Sequence, residues 1–349
     1  MPLLQLPSRR LRIAVSVFAT CLSTAVFAQP GADHDSSYYK TYPRRVIGRV
    51  FFSQKYTRLK FDSPGESSLK YVPNNPFAVG VGATYGIATL NLGFGIGGSA
   101  DKDQKGKTRS LDLQSHIYAR KWVIDLYGQF YKGYYLTPKG LAAPVDRDYY
   151  VRRDLRVRLI GASAYHLFNS DKFSYRAAFL QNEWQKKSSG SFLLGGEIYV
   201  GSIRGDSAIG PVATDNQFGD LGIRQVNFVE FGPGAGYAYT FVLQQNWFAT
   251  ASATVNADIG FNKEKVAAGK EKQTSISPNF TLRAVAGYNS DKWSATISWV
   301  ENNINSNGSN KREYLARAGN VRVTLAKRFL PGRKLRKKLE VIDDLPVQP

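Results

Sequence analysis

Residues 246–261 read NWFATASATVNADIGF. Trp247, Ala249, Ala251, Ala253, Val255, Ala257, Ile259 and Phe261 occupy alternate positions, and Phe248, Thr250, Ser252, Thr254, Asn256, Asp258 and Gly260 fill the positions between. A period of two belongs to a β-strand, whose side chains point alternately to opposite faces. A tilted strand of about 10 residues crosses a bilayer, with its apolar face on lipid and its polar face on a wet interior. The pattern recurs along most of the chain, so the sequence predicts an all-β fold, a transmembrane antiparallel β-barrel. A secreted soluble β-sandwich would also alternate, but its outward faces would not be apolar in nearly every strand.

Working outward, residues 1–28 read as a cleaved signal peptide. Arg9, Arg10 and Arg12 open it, an apolar stretch runs from Ile13 to Phe27, and small residues Val26 and Ala28 precede Gln29. The single cysteine, Cys21, lies within this leader, so the mature chain is predicted to have no disulfide, thiolate metal site or cysteine nucleophile. Beyond the leader no apolar run approaches the ~20 residues of a spanning helix. The 20 Tyr, 20 Phe and 5 Trp fit barrel strands that place aromatics at both membrane interfaces. Removing the three leader arginines from 47 basic residues leaves 44 against 27 acidic ones. With no nucleic-acid recognition motif and an exported chain, the expected partners are outer-membrane lipid and lipopolysaccharide, with the barrel assembly machinery during biogenesis and no nucleic acid. The expected location is the Gram-negative cell outer membrane.

Residues 29–44 form a polar periplasmic lead-in, 45–330 the barrel and 331–349 a basic periplasmic tail carrying Arg333, Lys334, Arg336, Lys337 and Lys338. Fourteen strands are predicted over residues 45–61, 67–85, 88–96, 108–119, 122–131, 153–168, 172–184, 190–203, 223–232, 235–243, 246–261, 275–289, 292–303 and 312–329; one misassigned hairpin would make it 12. Tight turns at Arg120-Lys121, Asn169-Ser170-Asp171, Gln244-Gln245-Asn246 and 289–292 alternate with long polar loops at 97–107, 132–152, 262–274 and 302–311. This alternation is that of periplasmic turns and extracellular loops. Residues 204–222 break it, because by parity they fall on the periplasmic side; splitting 223–243 at Gly232-Pro233-Gly234 restores an even count. A three-residue loop at Gln244–Asn246 would set Phe241, Tyr239 and Tyr237 opposite Ala249, Ala251 and Ala253, each ring against a small neighbour. Trp247, Tyr288, Trp293, Trp299 and Phe329 are candidates for the aromatic girdles.

Three stretches carry a specific likeness: Tyr71-Val72-Pro73-Asn74-Asn75-Pro76 followed by Gly80-Val81-Gly82 and Tyr85; residues 185–192, QKKSSGSF; and residues 233–240, PGAGYAYT. Together they resemble the outer-membrane family called domain of unknown function 4421. The resemblance covers most of the mature chain and implies an outer-membrane barrel with no assigned activity, so it brings no catalytic residues with it.

A two-residue turn at Arg120-Lys121 sets His116 opposite Asp125, Gln114 opposite Tyr127 and Asp112 opposite Gln129, all facing the lumen. A His116–Asp125 pair could orient a general base in a barrel enzyme acting on lipid or peptide. The same residues equally make a cross-strand hydrogen-bond ladder, and no nucleophile stands beside them. Further lumen-lining residues are expected at Arg156, Arg158, Arg176, Glu197, Asp258, Arg283 and Arg322, a set that could select anions in a pore or fill a small barrel with paired polar groups. His34 lies in the lead-in and His166 near the turn at Asn169, where a lumen-facing position is expected; the three histidines show no metal-ligand spacing, and neither metal nor cofactor is expected. The reading is a barrel of structural, anchoring or narrow-pore role without catalysis, with the His116 enzyme as the alternative.

Overall fold

In the computed structural model, which describes residues 34–42, 44–85, 88–96, 101–214 and 216–343, the alternation of residues 246–261 is realised in strand β12 (Trp247–Val266). Every odd residue of β12 is exposed and every even one buried. The leader and its cleavage site lie outside the described residues. The wall is built from β2 (Val46–Asp62), β3 (Leu69–Val72), β4 (Phe77–Tyr85), β5 (Ala88–Ile96), β6 (Arg109–Tyr118), β7 (Trp122–Thr137), β8 (Val151–Leu167), β10 (Ser189–Arg204), β11 (Gln225–Leu243), β12, β13 (Gly269–Asn289), β14 (Trp293–Asn307) and β15 (Glu313–Phe329). All pairings are antiparallel, and ten strands close a ring: β2, β3, β7, β8, β10 to β15 and back to β2. Below the short β3, the β4–β5 hairpin continues the sheet from β2 and β6 continues it from β7. Among the described residues the facing edges of β5 and β6 are not paired, which leaves a seam in that part of the wall.

One end of the barrel, the turn end, carries the start of β2, the end of β15 and the tight turns at Arg120-Lys121 and Gln244–Asn246; the other is the loop end. The three-residue turn holds Phe241, Tyr239 and Tyr237 opposite Ala249, Ala251 and Ala253, as predicted. The outer wall displays Val81, Leu92, Phe94, Ile160, Phe192, Phe241, Ile297 and Val323, whereas Ser163, Thr240, Thr250, Asn256 and Thr296 are buried inside. This inside-out distribution suits a wall in contact with lipid. Among the described residues no helix is long and apolar enough to cross a membrane.

Three expectations are corrected. Residues 172–184 are not a wall strand. Ser174 caps a short helix, α1 (Tyr175–Phe179), by accepting from the Ala177 N–H at 2.9 Å. The helix and β9 (Glu183–Gln185) fold into the turn end, where β9 pairs with β1 (Tyr39–Thr41). Apolar residues at 173, 175, 177 and 179 imitate a strand's period of two, which hid the cap. Second, β11 runs unbroken through Gly232-Pro233-Gly234. A Cβ at Gly232 would lie 2.7 Å from Asp258 Oδ1, and one at Gly234 only 1.7 Å from Asn256 Oδ1. These glycines therefore clear space for the inward polar residues of β12 and make no turn. The predicted span 67–85 is likewise two strands, β3 and β4, so the predicted count of fourteen, or twelve, gives way to thirteen wall strands among the described residues, of which ten close the ring. Third, parity now puts residues 205–224 at the loop end, while 262–274, predicted as a loop, is mostly paired strand up to Val266 opposite Gly269.

Both ends are filled by inserted chain. At the loop end α2 (Gln217–Asp220) and its flanks bring Ile209, Phe218 and Ile223 into a fully buried cluster with Phe61, Tyr71 and Tyr314. Tyr71 Oη donates to the Ile209 carbonyl at 2.5 Å, and Arg152 Nη1 to the Ala208 carbonyl at 2.5 Å. At the turn end Arg328 of β15 donates to the carbonyls of Gln181 (2.5 Å) and Ser290 (2.6 Å) and to Asn289 Oδ1 (2.7 Å), tying the α1 insertion to the wall.

Candidate functional site

The site grows from the β6–β7 hairpin. The Ala119 N–H donates to the Trp122 carbonyl at 2.9 Å across Arg120-Lys121, so the register counts back as predicted: His116 opposite Asp125, Gln114 opposite Tyr127, Asp112 opposite Gln129. His116 Nδ1 lies 2.5 Å from Asp125 Oδ1, and Tyr118 Oη donates to the same oxygen at 3.0 Å. From β13, across the lumen in sequence, Arg283 Nη2 reaches Asp125 Oδ2 at 2.5 Å and Arg283 Nη1 reaches Tyr118 Oη at 2.7 Å. Tyr175 of α1 places its ring 5.8 Å from the Arg283 guanidinium and its hydroxyl 3.2 Å from Ser252 Oγ. Asp125 is completely buried and Arg283 nearly so, whereas His116 keeps 28% of its side chain exposed. A buried charge needs a partner and filled hydrogen bonds, and Asp125 and Arg283 supply these to each other.

This geometry limits the chemistry. In a nucleophile–base–acid relay the histidine stands between the nucleophile and the carboxylate. Here the carboxylate is central: Asp125 has His116 on one neighbouring strand and Ser163 on the other. Ser163 is buried on the far side of Asp125 from the imidazole, so the row is in the wrong order for the histidine to activate it. Both Asp125 oxygens are occupied by Tyr118, His116 and Arg283.

The remaining sequence-predicted residues divide clearly. Asp112 accepts from Lys55 (3.0 Å) and Tyr131 (3.0 Å) in a second lumen network. Gln114, Tyr127, Glu197, Asp258, Arg283 and Arg322 face inward, with Asn279 donating to Asp258 at 2.8 Å and Arg322 lying 4.5 Å over the Phe51 ring. Arg176 is inside the barrel but on α1, 3.6 Å from Glu183, not on the wall. Arg156 and Arg158 are corrections: they point outward, and their neighbours Leu155, Val157 and Leu159 point in. Near the loop end the inserted apolar residues invert the barrel pattern, so inside is apolar and outside charged, as in a soluble protein. His166 also turns outward, its ring 5.3 Å from Trp122 and 5.1 Å from Phe168. Trp247, Tyr288, Trp293, Trp299 and Phe329 all lie on the outer face; Trp247 packs on Tyr288 at 5.3 Å and Trp299 Nε1 donates to Tyr56 Oη at 3.2 Å.

Sequence reasoning missed Lys55, Glu230, Glu264 and Arg312. Glu230 and Gly260 are paired across β11 and β12, and a Cβ on Gly260 would fall 2.3 Å from the Glu230 carboxylate, so that glycine was the available signal. Arg312 is fully buried and holds Glu264 (2.7 Å) and Glu271 (2.5 Å) near the loop end. Among the described residues no cluster of His, Cys, Asp and Glu could hold a metal ion.

Such a chain, with a polar interior packed between two inserted segments, is a closed antiparallel β-barrel of the outer-membrane type. Its sequence matches the domain of unknown function (DUF4421) over residues 33–329, and the chain belongs to that family. None of the curated proteins matches it significantly. Among solved structures it is similar to the outer membrane protease OmpT from Escherichia coli, at 8% identity over 83% of this chain and 98% of that one, TM-score 0.41. It is also similar to the translocator domain of the autotransporter NalP from Neisseria meningitidis, at 9% identity over 91% and 96%, TM-score 0.31. A third is the attachment invasion locus protein Ail of Yersinia pestis, at 11% identity over 81% and 99%, TM-score 0.18.

Proposed function

We propose that the protein sits in the outer membrane as a sealed barrel with a structural or anchoring role, its turn end in the periplasm and its loop end outside. The observation that carries this reading is that chain is inserted into both mouths, with Phe218 buried at one and Arg328 clamping Gln181 at the other. The apolar outer wall supports membrane residence, and the aromatic Phe329 ending β15 fits insertion by a barrel assembly machinery. Purified protein reconstituted in planar bilayers is expected to show no unitary conductance. Regular current steps from the unmodified protein would replace the anchor by a pore.

A second reading has one observation in its favour, the short His116–Asp125 contact. A barrel hydrolase using that pair would cleave phospholipid or peptide, and the cleavage would vanish in His116→Ala. We expect no such turnover from either protein.

A further inference from the structure

Four cations stand side by side on the outer wall: Arg109 of β6 pairs with Lys132 of β7, Lys132 with Arg156 of β8, and Arg156 with Arg204 of β10. Directly opposed residues on one sheet face have Cβ atoms about 5 Å apart, and like charges so placed destabilise the sheet. Opposed cations also occur as the pair Lys263–Lys272 on the β12–β13 hairpin, and what singles out this row is its length across four strands and the groove beneath it. The only ion-pair partner among the described residues is Asp206, 3.6 Å from Arg156 and itself largely exposed. Two residues toward the turn end the next row is Leu111, Phe130 and Arg158, and the row beyond it is Leu113, Gly128 and Ile160. Leu111, Leu113 and Ile160 are each more than half exposed.

The first two rows line an open groove of about 360 Å³, with Arg109, Lys132, Arg156 and Arg158 around the apolar Leu111 and Phe130. On the turn-end side Gly128 lies between Leu113 and Ile160 with no side chain of its own, and Leu113 and Phe130 come within 3.6 Å of the place its Cβ would take. A bulge shapes the upper rim. Gly133 adopts φ +93°, a left-handed conformation that favours glycine, and its carbonyl accepts from Thr108 Oγ1 at 2.7 Å. The register shifts there, immediately after Lys132, so that Tyr134 turns inward and Lys132 is the last outward residue of the regular ladder.

We propose that this groove binds a phosphorylated glycolipid of the outer leaflet, with its phosphates on Arg109, Lys132, Arg156 and Arg158 and an acyl chain along Leu111, Phe130 and Gly128. The charge row matches an anionic headgroup, and the apolar rows directly below it match the chains that a free phosphate or an acidic protein lacks. Arginine and lysine are the residues that meet phosphate by charge-assisted hydrogen bonds. The inference rests on the membrane reading above, since it needs the loop end to face the outer leaflet.

The test uses full-length mature protein in bilayer nanodiscs. A bisphosphorylated hexa-acyl glycolipid, its dephosphorylated form and inorganic phosphate are each titrated, and retention is read by native mass spectrometry. The parent should retain the phosphorylated lipid saturably and raise its Tm, with at least a tenfold preference over the dephosphorylated form and no response to inorganic phosphate. Arg109→Gln/Lys132→Gln/Arg156→Gln should lose that preference while keeping the heat-modifiable mobility of a folded barrel. Lys263→Gln/Lys272→Gln, two outward cations on the β12–β13 hairpin away from the groove, should keep it. If the triple variant misfolds, Lys132→Gln and Arg158→Gln singly should each lower retention severalfold. Equal retention by parent and groove variants, or an equal response to inorganic phosphate, overturns the proposal while leaving the membrane reading intact. Failure of the parent to insert at all overturns the membrane reading instead.

Discussion

At the scale of single residues, Asp125 shows how far the sequence could be read. A two-residue turn fixed its register against His116, and the local hairpin obeyed. Its decisive partner is Arg283, separated by 158 positions, and no local rule links the two. The same limit hid Lys55 from Asp112 and Arg312 from Glu264. The consequence is energetic. Had Asp125 only shared a hydrogen bond with His116, Asp125→Asn would cost about 1 kcal/mol. Because it is the ion-pair partner of an almost fully buried arginine, removing the charge strands that arginine, which typically costs about 3–5 kcal/mol. His116→Ala, which removes a partly exposed group from the rim of the network, should cost about 1 kcal/mol. Denaturant unfolding of the two variants in detergent checks the ratio, and equal losses would show that Arg283 does not depend on Asp125.

At the scale of elements, legibility followed environment. Strand β12 was readable because one face meets an apolar surround and the other a polar interior along most of its length. In β8 the environment changes midway, polar Ser163 inside at one level and Leu155, Val157 and Leu159 inside nearer the loop end, so a single inside-polar rule misplaced Arg156 and Arg158. The α1 insertion failed for a different reason: its apolar spacing fits a strand and a buried short helix alike, and only Ser174 spoke for the helix. The short β1 strand gives a test of how the insertion is held. Asp291, in the β13–β14 turn, accepts from Lys40 at 2.5 Å and Arg45 at 2.8 Å, and these two cations hold its carboxyl down at about 2. Its pKa in the unfolded chain is about 3.9. A carboxylate with a lowered folded pKa stabilises above the unfolded value and loses that contribution as pH falls through the folded one. The anchoring of residues 34–42 should therefore be intact above about pH 4 and weaken from there down through about pH 2. The pairs are partly exposed, so each contributes no more than about 1 kcal/mol. Limited proteolysis with an acid-active protease should cut this segment faster as pH falls across that window, and Asp291→Asn should remove the pH dependence.

At the scale of the whole molecule the barrel has barriers in series: the 205–224 insertion at the loop end, the Asp125–Arg283 network within, and the α1–β9 insertion at the turn end. Closure of the ring was legible from alternation, but occupancy of the lumen was not, because inserted chain and exposed loop have similar polar composition until Ile209, Phe218 and Ile223 are seen to meet Phe61 and Tyr314. Phe218 is the anchor of the outer barrier, its ring 5.6 Å from both Phe61 and Tyr314. Phe218→Ala empties that cluster and should destabilise the folded barrel by about 3–5 kcal/mol, the usual cost of removing a buried phenyl group. It should also make residues 205–224 more protease-sensitive in intact barrels, because what then holds them is polar tethering to Tyr71, Arg152, Asp154, Glu66 and Ala267 without the apolar anchor. Conductance should nevertheless stay absent, because loosening one of several barriers in series leaves the others closed. A Phe218→Ala protein that is cut in this segment, keeps its heat-modifiable fold and conducts ions in steps would show that the loop-end insertion alone seals the barrel and that the turn-end insertion leaves a path around it.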